Sequence, residues 1–151
     1  MITIISVGSI KEKYLIDAIS EYKKRITKFH KLKIIEITDE NSNNIDTILT
    51  KEKDRIIKNI KPKDYIITLE IEGELVTSKQ LALKIDYLFN HFSNLVFIIG
   101  GSYGLHQDVK KLANYKLSFS KLTFPHQLFR VILLEQIYRS FKIINNEVYH
   151  K

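Results

Sequence analysis

Leu95-Val96-Phe97-Ile98-Ile99-Gly100-Gly101-Ser102-Tyr103-Gly104-Leu105 is the stretch whose reading decides the fold. Five apolar residues without a polar gap describe a strand covered on both faces, as in parallel sheets flanked by helices. Gly100-Gly101 ends it, and a glycine pair lets the backbone turn sharply and approach a flat ligand closely. It is not the dinucleotide fingerprint, because Ser102 stands where the second glycine of G-x-G-x-x-G belongs. A plain tight turn would serve equally well.

Outward from this strand the chain alternates between two periods. Ile2–Val7, Leu32–Thr38, Tyr65–Glu70 and Tyr115–Phe119 carry strand chemistry. Tyr14–Phe29, a weaker stretch from Ile48 to Ile60 stopped before Pro62, Leu81–Phe92 and a short piece at Gln107–Ala113 have helical spacing. Thr77-Ser78-Lys79-Gln80 has the form of a capping box at the start of the third helix, and the chain before it reads as a loop through Gly73. A last helix runs from His126 to Lys142. Five strands alternating with five helices, undivided by any linker, predict one α/β domain over residues 1–151, built on a mostly parallel sheet. Leu128, Phe129, Val131, Ile132, Leu133, Leu134, Ile137, Tyr138 and Phe141 surround the last helix on nearly every side. Such a helix must be buried all round, either as a central core element or by a second copy of the chain. The expectation taken forward is a dimer through this helix, with Ile132 and Leu133 at the interface.

Composition removes several classes of function. The 151 residues are ordinary in their balance of apolar and charged types, contain no cysteine, and carry a net charge of +7. Thiol nucleophiles, disulfide scaffolds and cysteine-based zinc sites are therefore excluded. His30, His91, His106, His126 and His150 include no helical i, i+4 pair, which speaks against a metal site. The opening apolar run is too short to span a membrane and lacks the marks of a signal peptide, so a soluble cytoplasmic protein is expected. Charge is unevenly spread: residues 1–33 and 105–151 are each at +5, and the middle is at −3. Basic ends suit a polyanion if the fold brings them together, and a merely solvated lysine-rich surface if it does not.

In open α/β sheets ligands bind beyond the carboxyl ends of strands. Leu69-Glu70, Gly100-Gly101 and Phe119-Ser120-Lys121-Leu122-Thr123-Phe124 are the three such ends that stand out. The last mixes aromatics with hydroxyls before Pro125, giving an apolar slot with free backbone polar groups or simply a loop packing two phenylalanines. His126 and Arg130 share one face of the last helix. A non-enzymatic RNA-binding module and a flavodoxin-like nucleotide enzyme both stay open on this basis.

Ile5-Ser6-Val7-Gly8, Thr68-Leu69-Glu70, Phe97 to Leu105, Leu117 to Leu128, Arg130, Glu135-Gln136-Ile137-Tyr138-Arg139 and the ending Tyr149-His150-Lys151 together resemble one family over essentially the whole chain. It is the ribosomal RNA large subunit methyltransferase H family, a minimal branch of the SPOUT class. The resemblance implies an α/β knot, in which the C-terminal part of the chain threads a trefoil. It also implies a homodimer that uses S-adenosylmethionine to methylate N3 of a pseudouridine in 23S ribosomal RNA on the assembled ribosome, without a metal. By the same resemblance Leu69, Gly100, Phe119, Ser120, Lys121, Leu122, Thr123 and Phe124 would hold the cofactor. Arg130, Tyr149, His150 and Lys151 would face RNA, with His150 and Arg130 nearest the chemistry and the tail serving the partner's site. Glu74 and Lys79 depart from the family pattern at the rim.

Overall fold

The computed structural model describes residues 1–149. Its elements are β1 (Ile2–Val7), α1 (Lys13–Ile26), β2 (Leu32–Ile37), α2 (Ile45–Ile57), β3 (Tyr65–Leu75), α3 (Ser78–Phe89), β4 (Leu95–Ile99), α4 (Gln107–Leu112), β5 (Tyr115–Ser118) and α5 (His126–Ile144). The five strands form one sheet in the order β2-β1-β4-β3-β5, with every neighbouring pair parallel.

Within the uninterrupted apolar strands the period of two reappears as a division between two cores. Ile2 and Ile4 of β1, with Leu95, Phe97 and Ile99 of β4, pack beneath α1, α3 and α5. Ile5 and Val7, with Val96 and Ile98, pack on the other face with Ile56 of α2 and Val109 of α4. Helix starts are fixed locally. Asn44 accepts the Thr47 amide at 3.2 Å, and Thr77 and Gln80 form the expected reciprocal capping box.

Two expectations are corrected. β3 does not end at Glu70: it arches away from β5 and rejoins it, so that Leu117 faces both Leu69 and Glu74. Gly73 makes this return, since a Cβ there would lie 2.7 Å from the Leu117 carbonyl carbon. The arch at residues 70–73 becomes a wall above the sheet. The second correction concerns α5. Much of its apolar surface is satisfied inside the monomer, where Leu133, Leu134, Ile137 and Phe141 are buried with α1 and α3. Leu133 is a core residue, whereas Val131 and Ile132 remain only half-buried and Leu128 is exposed. Leu133→Ala should accordingly lower unfolding free energy by about 2–5 kcal/mol, the usual cost of a cavity in a packed core. A urea titration showing no loss would return this position to the outer surface.

Candidate active site

Three strand ends and the segment that follows β5 enclose a cleft. Leu69, Glu70 and Ile71 come from β3 and its arch, Ile99 from the end of β4 with Gly100 just beyond it, and Leu117 and Ser118 from β5. Counting its open mouth, the cleft encloses about 640 Å³ of space.

The glycine turn shapes one side. Gly104 adopts φ +78° and donates its amide to the Gly101 carbonyl at 3.0 Å, closing a tight return after β4. Gly100 lies directly under this return: a Cβ there would come within 2.5 Å of the Gly104 carbonyl oxygen. The opposite side is the 119–124 segment, which has no regular structure yet is internally tied. Ser118 Oγ donates to the Ser120 carbonyl at 3.1 Å, and the Leu122 amide donates to Ser120 Oγ at 2.9 Å. Phe119 and Phe124 pack on Phe129 of α5, with ring centroids 5.1 and 6.0 Å apart, so the apolar wall is anchored to the last helix. Glu70 is buried at the arch. Its carboxylate accepts the Thr68 hydroxyl at 2.7 Å and lies 3.7 Å from Lys110 Nζ.

Of the residues expected at a cofactor pocket, Leu69, Gly100, Phe119, Ser120, Leu122, Thr123 and Phe124 line this one cleft, although three strands contribute them. Lys121 is exposed and lies outside the lining. Glu70, Gly104, His126 and Phe129 line it as well. Glu70 and Gly104 stood inside stretches already singled out. The sequence marks His126 only as sharing a helix face with Arg130 and Phe129 only as apolar surface of the last helix, so neither is expected at the pocket.

Arg130 is placed differently from the expected phosphate ligand. Only 2% exposed, its guanidinium donates to the Val7 and Gly8 carbonyls at 2.7 and 2.6 Å and to Glu36 at 3.0 Å. Burial lowers its pKa from the ordinary value, while Glu36 opposes the shift. Arg130 therefore clamps the end of β1 to α5. Tyr149 does not enter the cleft of its own chain either. Its hydroxyl donates to Glu135 at 3.2 Å and its ring meets Tyr138 edge-on at 5.0 Å, about two and a half and just over three turns beyond His126 along α5. His150 and Lys151 lie outside the described residues. Among the described residues no group of three His, Asp or Glu side chains is arranged to hold a metal ion, and no helix is long and apolar enough to cross a membrane.

The family model described as "Predicted SPOUT methyltransferase" matches residues 1–150 of this chain. A protein of Clostridium botulinum named ribosomal RNA large subunit methyltransferase H is 52% identical, covering 99% of both chains. A Methanococcus vannielii protein, provisionally given the same name, is 59% identical with the same coverage. The chain belongs to the ribosomal RNA large subunit methyltransferase H family, within the SPOUT class. Among solved structures, a tRNA (m1G37) methyltransferase from Aquifex aeolicus shares the fold at TM-score 0.55 and 14% identity, over 91% of this chain and 69% of that one. A methylase family protein from Haemophilus influenzae does so at TM-score 0.57 and 12% identity, over 99% and 70%.

Proposed function

We propose that this chain is an S-adenosylmethionine-dependent methyltransferase of 23S ribosomal RNA that methylates N3 of a pseudouridine on the assembled ribosome, working as a cytoplasmic homodimer. One observation supports it above the others: seven residues assigned by resemblance to a cofactor pocket, drawn from three strand ends, meet in a single cleft. The cleft also fits the cofactor chemically. Leu69, Leu117, Phe119 and Phe124 offer apolar faces to a purine, and the bare backbone at Gly100–Gly104 offers polar groups for its edge and ribose. When bound, S-adenosylmethionine supplies a methyl group already electrophilic on sulfonium.

Alignment and exclusion of water fall to the protein. Phe119 and Phe124 hold the slot shut against α5, and Glu70 stiffens the arch. Arg130, fixed on the Val7 and Gly8 carbonyls, sets the end of β1 relative to α5. The threading of the chain after β5 into a trefoil belongs to this same proposal. The placement of Tyr149 well along α5 from the cleft supports a tail that serves a partner copy, with Tyr149, His150 and Lys151 meeting that copy's bound RNA. Half-buried Val131 and Ile132 with exposed Leu128 supply apolar surface for the contact.

Purified protein with S-adenosylmethionine labelled on the methyl group should transfer label to 23S RNA of intact ribosomes, and nuclease digestion should place it on N3 of a pseudouridine. Absence of transfer to ribosomes would overturn the proposal. Transfer to a uridine instead would overturn its finer part.

A further inference from the structure

Beside the cofactor cleft lies a second, smaller one, and the two share Gly101 and His126. Val7, Ile48, Ser102 and Tyr103 line it, and so do three carboxyl residues, Asp39, Glu40 and Glu52. The carboxyls are not equivalent. Glu40 is neutralised by Lys51 at 3.2 Å and Arg55 at 2.7 Å, and Asp39 is exposed. Glu52 is only 6% exposed; its Oε1 accepts the Glu40 amide at 3.2 Å, and its Oε2 has no hydrogen-bond partner among the described residues. That free oxygen lies 3.5 Å from where a Cβ on Gly101 would stand, at the boundary between the clefts.

At the wall of the cleft, this unpaired carboxyl oxygen is an acceptor that a ligand's donor can meet. His126 is the complementary group: a half-buried imidazole on the boundary of both clefts, with no hydrogen bond among the described residues. Burial lowers its pKa, and Arg130 acts in the same direction against Asp39, so near neutrality the ring is uncharged, with one N–H to give. A net negative cleft repels phosphate. It suits the edge of a heterocycle that presents one N–H flanked by carbonyls, which is the edge of a uracil-type imide.

We infer that this second cleft receives the acceptor base, with Glu52 Oε2 accepting its ring N–H and His126 donating to a flanking carbonyl. The inference rests on the methyltransferase reading and names within it the pocket for the acceptor. As the new N–CH3 bond forms, the ring N–H proton passes to Glu52, and the electron pair of the broken S–CH3 bond stays on sulfur, leaving a neutral thioether. Glu52 then loses the proton to water. Burial holds the Glu52 carboxyl above its ordinary pKa, with Asp39 and Glu40 adding to the effect and the Glu40 amide and Arg55 opposing it. A more basic carboxylate is the better proton acceptor.

The test compares wild type with Glu52→Gln, which keeps an acceptor for the Glu40 amide but cannot take a proton. Three readouts are needed: thermal midpoint, calorimetric affinity for S-adenosylhomocysteine, and single-turnover methyl transfer to ribosomes. The expected result is a midpoint equal to or above wild type, affinity within threefold, and transfer slower by about 10²–10⁴-fold, the usual contribution of a positioned base. His126→Phe should keep cofactor affinity within tenfold and slow transfer at least tenfold. Full transfer in Glu52→Gln overturns the inference. A loss of cofactor affinity beyond tenfold also overturns it, by assigning the carboxyl to the donor's ammonium group. A lowered midpoint with proportionate loss of activity overturns it in favour of a structural role. Failure of wild type itself on ribosomes sinks the methyltransferase reading instead.

Discussion

Gly100→Val is expected to weaken binding of S-adenosylhomocysteine at least a hundredfold, read by calorimetry, while the far-ultraviolet circular dichroism stays that of a folded α/β protein. From sequence alone the reason would be a side chain intruding on the ligand. The structure gives an earlier obstacle. A Cβ on Gly100 falls 2.5 Å from the Gly104 carbonyl oxygen and 2.6 Å from its carbon, and both are backbone atoms held by the Gly104–Gly101 hydrogen bond. Nothing flexible can yield, so the return after β4 must shift, and with it one side of the cleft. β4 itself stays buried between β1 and β3, which is why the fold should survive. Gly104→Ala is the control. Open space surrounds its Cβ, and only the positive φ opposes it, at roughly 1–2 kcal/mol. Its affinity should fall far less, and a folded Gly100→Val protein with unchanged affinity would place the cofactor elsewhere.

Ending the chain at Val148 should slow methyl transfer to ribosomes by about 10²–10⁴-fold, with S-adenosylhomocysteine affinity within threefold. The affinity is spared because the cleft is built from residues 69 to 129. The truncation does remove the Tyr149 contacts with Glu135 and Tyr138 and the Arg139 guanidinium 4.8 Å from its ring. These lie at the partly exposed surface of α5 and should cost little stability. Tyr149→Phe separates the two roles, since it removes the hydroxyl bond to Glu135 and keeps a ring able to stack on a base. Full activity in the truncation would refute a role for the tail. Parallel loss of cofactor affinity would make the tail structural.

Strand and helix identities were legible because continuous apolar runs and 3.6-residue spacing report burial directly. The cleft was legible in outline because strand ends are where such sheets bind ligands, and Gly100 and the 119–124 segment are chemically unusual. What stayed hidden depends on distant partners. Arg130 reads as a surface cation until the fold brings the Val7 and Gly8 carbonyls to it across more than 120 positions. Leu133 and Ile132 are adjacent and equally apolar, and only the packing of α1 and α3 tells core from half-exposed flank. The return of β3 onto β5 past Gly73 is a matter of register, which apolar pattern does not encode when both faces are covered. Glu52, in the middle of the weakest helix, gave no signal at all.

The strand order has a consequence for the protein's birth. β1 is made first and pairs on one side with β2, but its other neighbour is β4, which ends about 60 residues after β2 does. At translation rates of about 5–20 residues per second, that interval is about 3–12 s. Throughout it the most apolar edge of the sheet faces the nascent-chain environment with its amides and carbonyls unpaired, an invitation to association with other chains. The Arg130 clamp onto β1 is translated later still. The vulnerable period of this molecule is therefore its synthesis: once complete, the same strand sits one in from the edge, sealed on both sides.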